Sequence, residues 1–178
     1  MSPPLDQQND LGQQFERWYP AVFRYFRLRG ADADTANDLA AAVFERALQR
    51  LNRYDESKGA FSTWVFTIAR HTGANYWKAQ STRVSGWVEP PENLPDRLPQ
   101  PEEELVGQEE LAETLAALVR LEERERELLA LKFSARMTNR QISALTGLSE
   151  SNVGVILYRA IQRMRAMMVT NIGEVTRE

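Results

Sequence analysis

The chain has 178 residues, a formal net charge of −3, 43% hydrophobic and 26% charged residues, which suits one soluble domain or two small ones. With no cysteine and a single histidine, it can build neither a disulfide, nor a thiolate metal site, nor a His-rich one. No run approaches the ~20 apolar residues of a membrane span, and the opening MSPPLDQQND lacks the basic start and apolar core of a secretion signal. A cytoplasmic location is expected. The charge is unevenly spread: +1 over residues 1–80, −6 over 81–110 and +2 over 111–178.

Residues 1–10 are polar and hold prolines, and are expected to be loose. From Gln13 to Arg29, Phe15, Trp18, Tyr19, Val22, Phe23 and Phe26 recur at helical spacing, with Pro20 expected to start a new turn or kink the helix. Gly30 ends it. Asp34 is the predicted cap of a second helix to about Leu51, with Leu39, Val43, Phe44, Ala47 and Leu48 as its apolar stripe. NRYDESKG, residues 52–59, is a polar turn-rich loop. A third helix is predicted from about Phe61 to Gln80, with Trp64, Val65, Ile68, Ala69 and Thr72 inward. Three such helices make a bundle, and no alternating strand pattern occurs anywhere.

Residues 81–101 break the periodicity with five prolines and read as a linker. Fully extended, its 21 residues reach ~70 Å at about 3.3 Å each. Helices resume from Glu102 to Val119 and from Glu122 to about Phe133. Then Thr138 caps a short helix to about Leu145, Gly147 supplies a corner, and Ser149 caps a longer helix. That pattern is a helix-turn-helix, with Ile142, Leu148, Val153 and Leu157 facing the core. Glu150, Ser151, Asn152, Val155 and Arg159 are left outward, where the second helix can lie in a DNA major groove. From Arg136 to Val169 there are five arginines and one glutamate, a balance suited to phosphates.

No catalytic arrangement is present. Ser62 and Thr63 have no histidine and carboxylate at triad spacing, and there is no phosphate-binding glycine loop. The glutamates at 102–104 and 109–110 read as a solvated helix start rather than paired acids. The chain is expected to be no enzyme, and no metal or other cofactor is expected. The other informative stretch mixes Lys58, Gly59, Phe61, Trp64, Arg70, His71, Asn75, Tyr76, Trp77 and Lys78. Rings offer stacking faces to unpaired bases, amides reach base edges and cations hold phosphates. The same rings could equally belong to a core, and Trp64 and Phe66 are expected there.

DLAAAVFERALQRLNRYDESKGAFSTWVFTIARHTGANYWK, within Phe15 to Lys78, resembles region 2 of an extracytoplasmic-function (group IV) bacterial RNA polymerase sigma factor. LEERERELLALKFSARMTNRQISALTGLSESNVGVILYRAIQRMRAMM resembles region 4 of the same family. The resemblance implies an all-α chain of two small helical domains, a region 2-like bundle at 11–80 and a region 4-like helix-turn-helix at 109–170, joined by a flexible acidic linker at 81–108. It implies a promoter-recognition subunit that binds the β′ clamp helices and β flap of core RNA polymerase, with an anti-sigma factor as a further partner. By motif match, Asp38, Leu39, Val43 and Phe44 fall on the polymerase-binding helix. Single-stranded −10 DNA falls to Ser57, Lys58, Gly59, Phe61, His71, Asn75, Tyr76 and Lys78. Duplex −35 DNA falls to Arg136, Thr138, Arg140, Ser149, Glu150, Ser151, Asn152, Val155, Arg159 and Arg163.

This sequence departs from the family pattern at three places. Ala41 and Ala42 replace the usual Gln and Glu, leaving Asp38 and apolar groups to meet the polymerase. Gly154 and Ile156 stand where Lys and Arg are common, and His71 and Asn75 replace a usual Asn and Asp. The competing reading is a stand-alone helix-turn-helix regulator that binds duplex DNA as a symmetric dimer. Polymerase-independent, palindromic footprints would be its signature.

Overall fold

The first helix, α1 (Leu5–Leu28), begins earlier than its apolar spacing predicts and runs straight through Pro20 without restarting. Pro20 is exposed, so the carbonyl that its missing N–H leaves unpaired can be hydrated. The structure is a computed structural model that describes the backbone of residues 5–83 and 114–175, with side chains over 12–81 and 114–168. The predicted linker, apart from its first residues, and the predicted helix start at Glu102 lie outside the described residues.

At the end of α1 the Ala31 N–H reaches back to Phe26 O at 3.1 Å and the Gly30 N–H to Arg27 O at 3.0 Å. This pairing needs a left-handed residue at position 30, where φ is 99°. Only glycine adopts that without strain. Helix α2 (Ala33–Gln49) follows at once. Its cap is Asp32, whose Oδ1 accepts the Thr35 N–H at 2.7 Å, and not the predicted Asp34, which lies in the first turn. Asp32 is the residue with extended backbone, which decides between two otherwise equivalent carboxylates.

Along α2, Leu39, Val43, Phe44 and Ala47 are buried as the periodicity predicts, but Leu48 is 59% exposed. At about 100° per residue, Leu48 sits well round from Ala47, past the edge of the buried stripe. Helix α3 (Phe61–Arg83) buries Val65, Phe66, Ile68, Ala69 and Thr72 against α1 and α2. Gly73 is there for space: a methyl group on it would collide with the Trp77 ring, which folds back along α3 toward Phe26.

Residues 114–119 are helical, followed by α4 (Glu123–Ser134), α5 (Asn139–Thr146) and α6 (Glu150–Val175). Thr138 and Gln141 cap α5 reciprocally: Thr138 Oγ1 accepts the Gln141 N–H at 3.2 Å and Gln141 Oε1 accepts the Thr138 N–H at 2.9 Å. Gly147 turns the chain at φ 76°, its N–H on Ser143 O at 2.9 Å. Ile142, Val153, Leu157 and Ala160 are buried between α5 and α6, and Leu148 is half-buried beside them. No strand occurs among the described residues. The two sets of helices meet where α1 packs on α4 and α3 on α5, and one buried apolar cluster runs through both.

Candidate nucleic-acid interface

The loop between α2 and α3 is built by local hydrogen bonds. Two short 3-10 turns, Leu51–Arg53 and Glu56–Lys58, flank Asp55. Asp55 Oδ1 accepts from the Ser57 N–H at 3.1 Å and its hydroxyl at 2.6 Å, while Oδ2 pairs with Lys58 Nζ at 3.1 Å. The Ser57 hydroxyl, then Lys58, hold the Asp55 carboxyl below its ordinary value of 3.8. Because the folded loop favours the carboxylate, the cap is complete above that value and is lost as pH falls through the lower, folded one. An NMR titration of the Ser57 amide should therefore move only below about pH 4. In Asp55→Asn the same amide should not titrate.

Beneath the loop, Phe61 is 9% exposed, its ring edge-on to Tyr54 at 5.4 Å and tilted to Trp64 at 5.6 Å. Tyr54 and Trp64 complete the cluster at 5.1 Å, and the Tyr54 hydroxyl donates to Gly59 O at 3.3 Å. Phe61 was expected to face DNA; it is instead a floor that the loop rests on, because Tyr54 closes over it from the loop side. Ser57, Lys58 and Gly59 lie above it, exposed. On α3, His71, Asn75 and Lys78 are exposed. Tyr76 is half-buried, set edge-on to Trp77 at 5.7 Å, and its hydroxyl accepts from Gln80 Nε2 at 2.9 Å.

The α2 residues assigned to the polymerase divide sharply. Asp38 is exposed, but Leu39, Val43 and Phe44 are buried in the bundle, with Phe44 wedged against Phe15 at 4.6 Å and Tyr19 at 5.7 Å. A side chain cannot fill its own core and also meet a partner, so those three support the helix from behind. The exposed residues of α2 are Asp34, Asn37, Asp38, Ala41, Glu45, Leu48 and Gln49, and Asp38, Ala41, Glu45 and Leu48 among them follow one another at helical spacing, with Ala42 half-buried beside them. Leu48 belongs to that exposed side and not to the buried stripe where it was expected. Its displacement from the stripe centre was the available signal.

In the second half, Ser149 Oγ accepts the Asn152 N–H at 3.2 Å and opens α6. Glu150, Ser151, Asn152 and Arg159 are exposed, as are Arg136, Thr138 and Arg140 on the approach. Arg136 is held at φ 53°, the only non-glycine residue with positive φ among those described. On α6 the side opposite Val153, Leu157 and Ala160 carries Ser151, Val155 and Tyr158, and the last two are 43% and 66% exposed. Tyr158 was assigned to neither face by the sequence reading. Arg163, expected to anchor phosphate, ties α6 to α4 through Glu125 at 3.0 Å while half of its side chain stays exposed. Glu125 is buried, and its other task is to accept the Glu122 N–H at 3.2 Å.

Two arginines of the first half converge on one carboxylate of the second. Arg29 Nη1 lies 3.4 Å from Glu127 Oε1, and Arg70 Nε lies 2.8 Å from the same oxygen. Arg29, with a side chain 4% exposed, also reaches Glu123 at 2.9 Å and the Tyr25 hydroxyl at 3.0 Å, and stacks 4.3 Å over the Trp77 ring. Arg70 Nη1 donates to the carbonyl of Leu145, near the end of α5. Burial pushes the Tyr25 hydroxyl up to about 12, against the opposing pull of Arg29, so it stays protonated.

Among the described residues no group of acidic or histidine side chains could hold a metal ion, and no helix is long and apolar enough to cross a membrane. Residues 14–83 match the Sigma-70 region 2 family and residues 111–164 the Sigma-70, region 4 family. The ECF RNA polymerase sigma factor ShbA of Streptomyces griseus is 30% identical over 157 residues, 84% of this chain and 82% of its own length. The ECF RNA polymerase sigma factor RpoE of Cereibacter sphaeroides is 28% identical, with 89% of this chain and 86% of that protein covered. Two solved structures share the fold. One is the sigma factor RpoE in complex with the anti-sigma factor NepR from Bartonella quintana, with a TM-score of 0.73 and 18% identity over 89% of this chain and 96% of that one. The other is CnrH in complex with the cytosolic domain of CnrY, with a TM-score of 0.68 and 20% identity over 92% and 90%.

Proposed function

The chain belongs to the extracytoplasmic-function RNA polymerase sigma factors, and from that premise we propose how its two halves divide promoter recognition. It directs RNA polymerase to promoters, working with that enzyme in the cytoplasm and carrying no catalysis of its own. The loop over Phe61, with the exposed end of α3, opens the −10 element and holds an unstacked base. Extracting a base costs a few kcal/mol, and a pocket of hydrogen-bonding groups over aromatic rings can return a similar amount. Ser57, Lys58 and Gly59 form its rim and Asn75 supplies an amide. His71, Tyr76 and Lys78 extend the surface along α3.

The N-terminal part of α6 enters the major groove of the −35 element. Asn152 offers an amide to a base edge, Val155 and Tyr158 lie apolar at the centre of the face, and Ser149, Glu150 and Ser151 line the entry. Arg136, Arg140 and Arg159 meet phosphates, with Thr138 at the backbone. The exposed face of α2 docks on core polymerase. An anti-sigma factor, which accompanies RpoE in the Bartonella quintana complex, is a further expected partner.

The observation that carries this reading is the pairing, in one chain, of an exposed polar loop on an aromatic floor with an exposed helix N-terminus flanked by arginines. Run-off transcription with core polymerase on a cognate promoter tests it. Transcripts above core alone support it; none, with polymerase-independent palindromic footprints, would favour the helix-turn-helix regulator. On the same template, Asn152→Ala is expected to lose about 1–3 kcal/mol of discrimination at one −35 base pair. An equal loss on every −35 sequence would remove Asn152 from base reading.

A further inference from the structure

The outward side of α6 has an apolar centre, although it is the side offered to a DNA groove. Val155 sits there 43% exposed, with Tyr158 one turn on at 66%. By the helical step of about 100°, Ser151, Asn152, Arg159 and Gln162 surround them within about 60° of Val155, all exposed. Arg159 is the one cation in that sector among the described residues, since Arg163 lies beyond it and is tied to Glu125. Gly154 and Ile156, on the two flanks, are half-buried and bring no side-chain donor. A guanine facing this centre would present two acceptors, O6 and N7, to a pair whose sole donor is the Tyr158 hydroxyl. Acceptors stripped of water and left unpaired oppose binding. Thymine instead presents carbon at the same edge, through its 5-methyl group.

We infer that α6 selects a −35 element with thymine on two neighbouring base pairs, read through the methyl groups by Val155 and Tyr158. The inference rests on the reading that α6 enters that element, and adds which bases it accepts. Val155 and Tyr158 are three residues apart, about 4.5 Å along the helix axis, a little more than one base-pair step of ~3.4 Å. The two side chains therefore meet adjacent pairs. Each methyl group removed from water should strengthen the complex about fourfold. Asn152, as far before Val155 as Tyr158 is after it, is left for an adenine edge, and Arg159 for a phosphate.

Uracil tests this directly, because it pairs as thymine does and lacks only the methyl group. Core polymerase loaded with the full chain first selects from duplexes randomised across both promoter elements, and the retained duplexes are sequenced. Thymine should be enriched on two adjacent −35 pairs, and uracil in place of either should weaken the complex about fourfold. Val155→Ser should blunt that response at one position and Tyr158→Ala at the other, with helical content unchanged because both sites are exposed. Other bases enriched there, or no preference, overturn the inference while the selection of promoters stands. A thymine preference that uracil satisfies equally also overturns it, since groove shape would then be what is read. A uracil penalty kept in full by both variants takes the contact away from these side chains. Retention no better than by core polymerase alone overturns the promoter reading, and the inference with it.

Discussion

Phe61→Ala is expected to destabilise the first bundle by about 3 kcal/mol, the lower end for truncating a buried phenylalanine because its site lies at the edge of the core. That is a large share of the 5–15 kcal/mol that holds a typical domain together. Chemical denaturation should show it as a lowered midpoint. Promoter opening should fail as well, since Tyr54 and Trp64 lose the ring they pack on and the loop carrying Ser57 and Lys58 loses its floor. Phe61→Leu separates support from direct stacking. It keeps most of the volume, should cost less than about 1.5 kcal/mol, and should restore opening if the ring only supports. Near-parental stability with opening still abolished would mean that the aromatic face itself touches a base.

The correction at Phe61 marks where local pattern stops informing. Caps and corners are set by residues three or four apart, so Thr138, Gly147 and Ser149 could be read directly, as could the buried stripe of α5 and α6. Where two carboxylates offered the same cap, Asp32 prevailed through backbone conformation, which composition does not encode. An aromatic residue serves a core and a stacking platform equally well, and the choice for Phe61 depended on Tyr54 arriving from the loop. The ion pairs between the halves were out of reach altogether. Their partners lie 94 positions apart for Arg29 and Glu123 and 57 for Arg70 and Glu127, and no periodicity relates them. The ion pair between Arg163 and Glu125, 38 positions apart, was out of reach for the same reason.

Leu48 gives the sharpest test of the polymerase surface. Leu39, Val43 and Phe44 match the family's polymerase-binding helix by motif, yet their burial means that changing them would disturb the bundle before any interface. Leu48 is a large apolar group with 59% of its surface open, next to a face kept low by Ala41 and Ala42 and edged by Asp38 and Glu45. Small residues beside a protruding leucine let a partner helix approach closely, with the leucine as anchor in its pocket. Leu48→Asp places a charge in that pocket and should cost at least about 2 kcal/mol of binding, or roughly a 30-fold weaker complex with core polymerase. Thermal stability should fall by no more than about 1 kcal/mol, because Leu48 is exposed and the new carboxylate meets only the negative end of the α2 dipole in the last turn. Leu39→Ala provides the contrast: a lowered melting temperature, and binding that recovers once the chain is measured cold enough to stay folded. If Leu48→Asp binds core polymerase like the parent, the exposed side of α2 is not the docking face, and the short acidic-apolar surface there must serve some other contact.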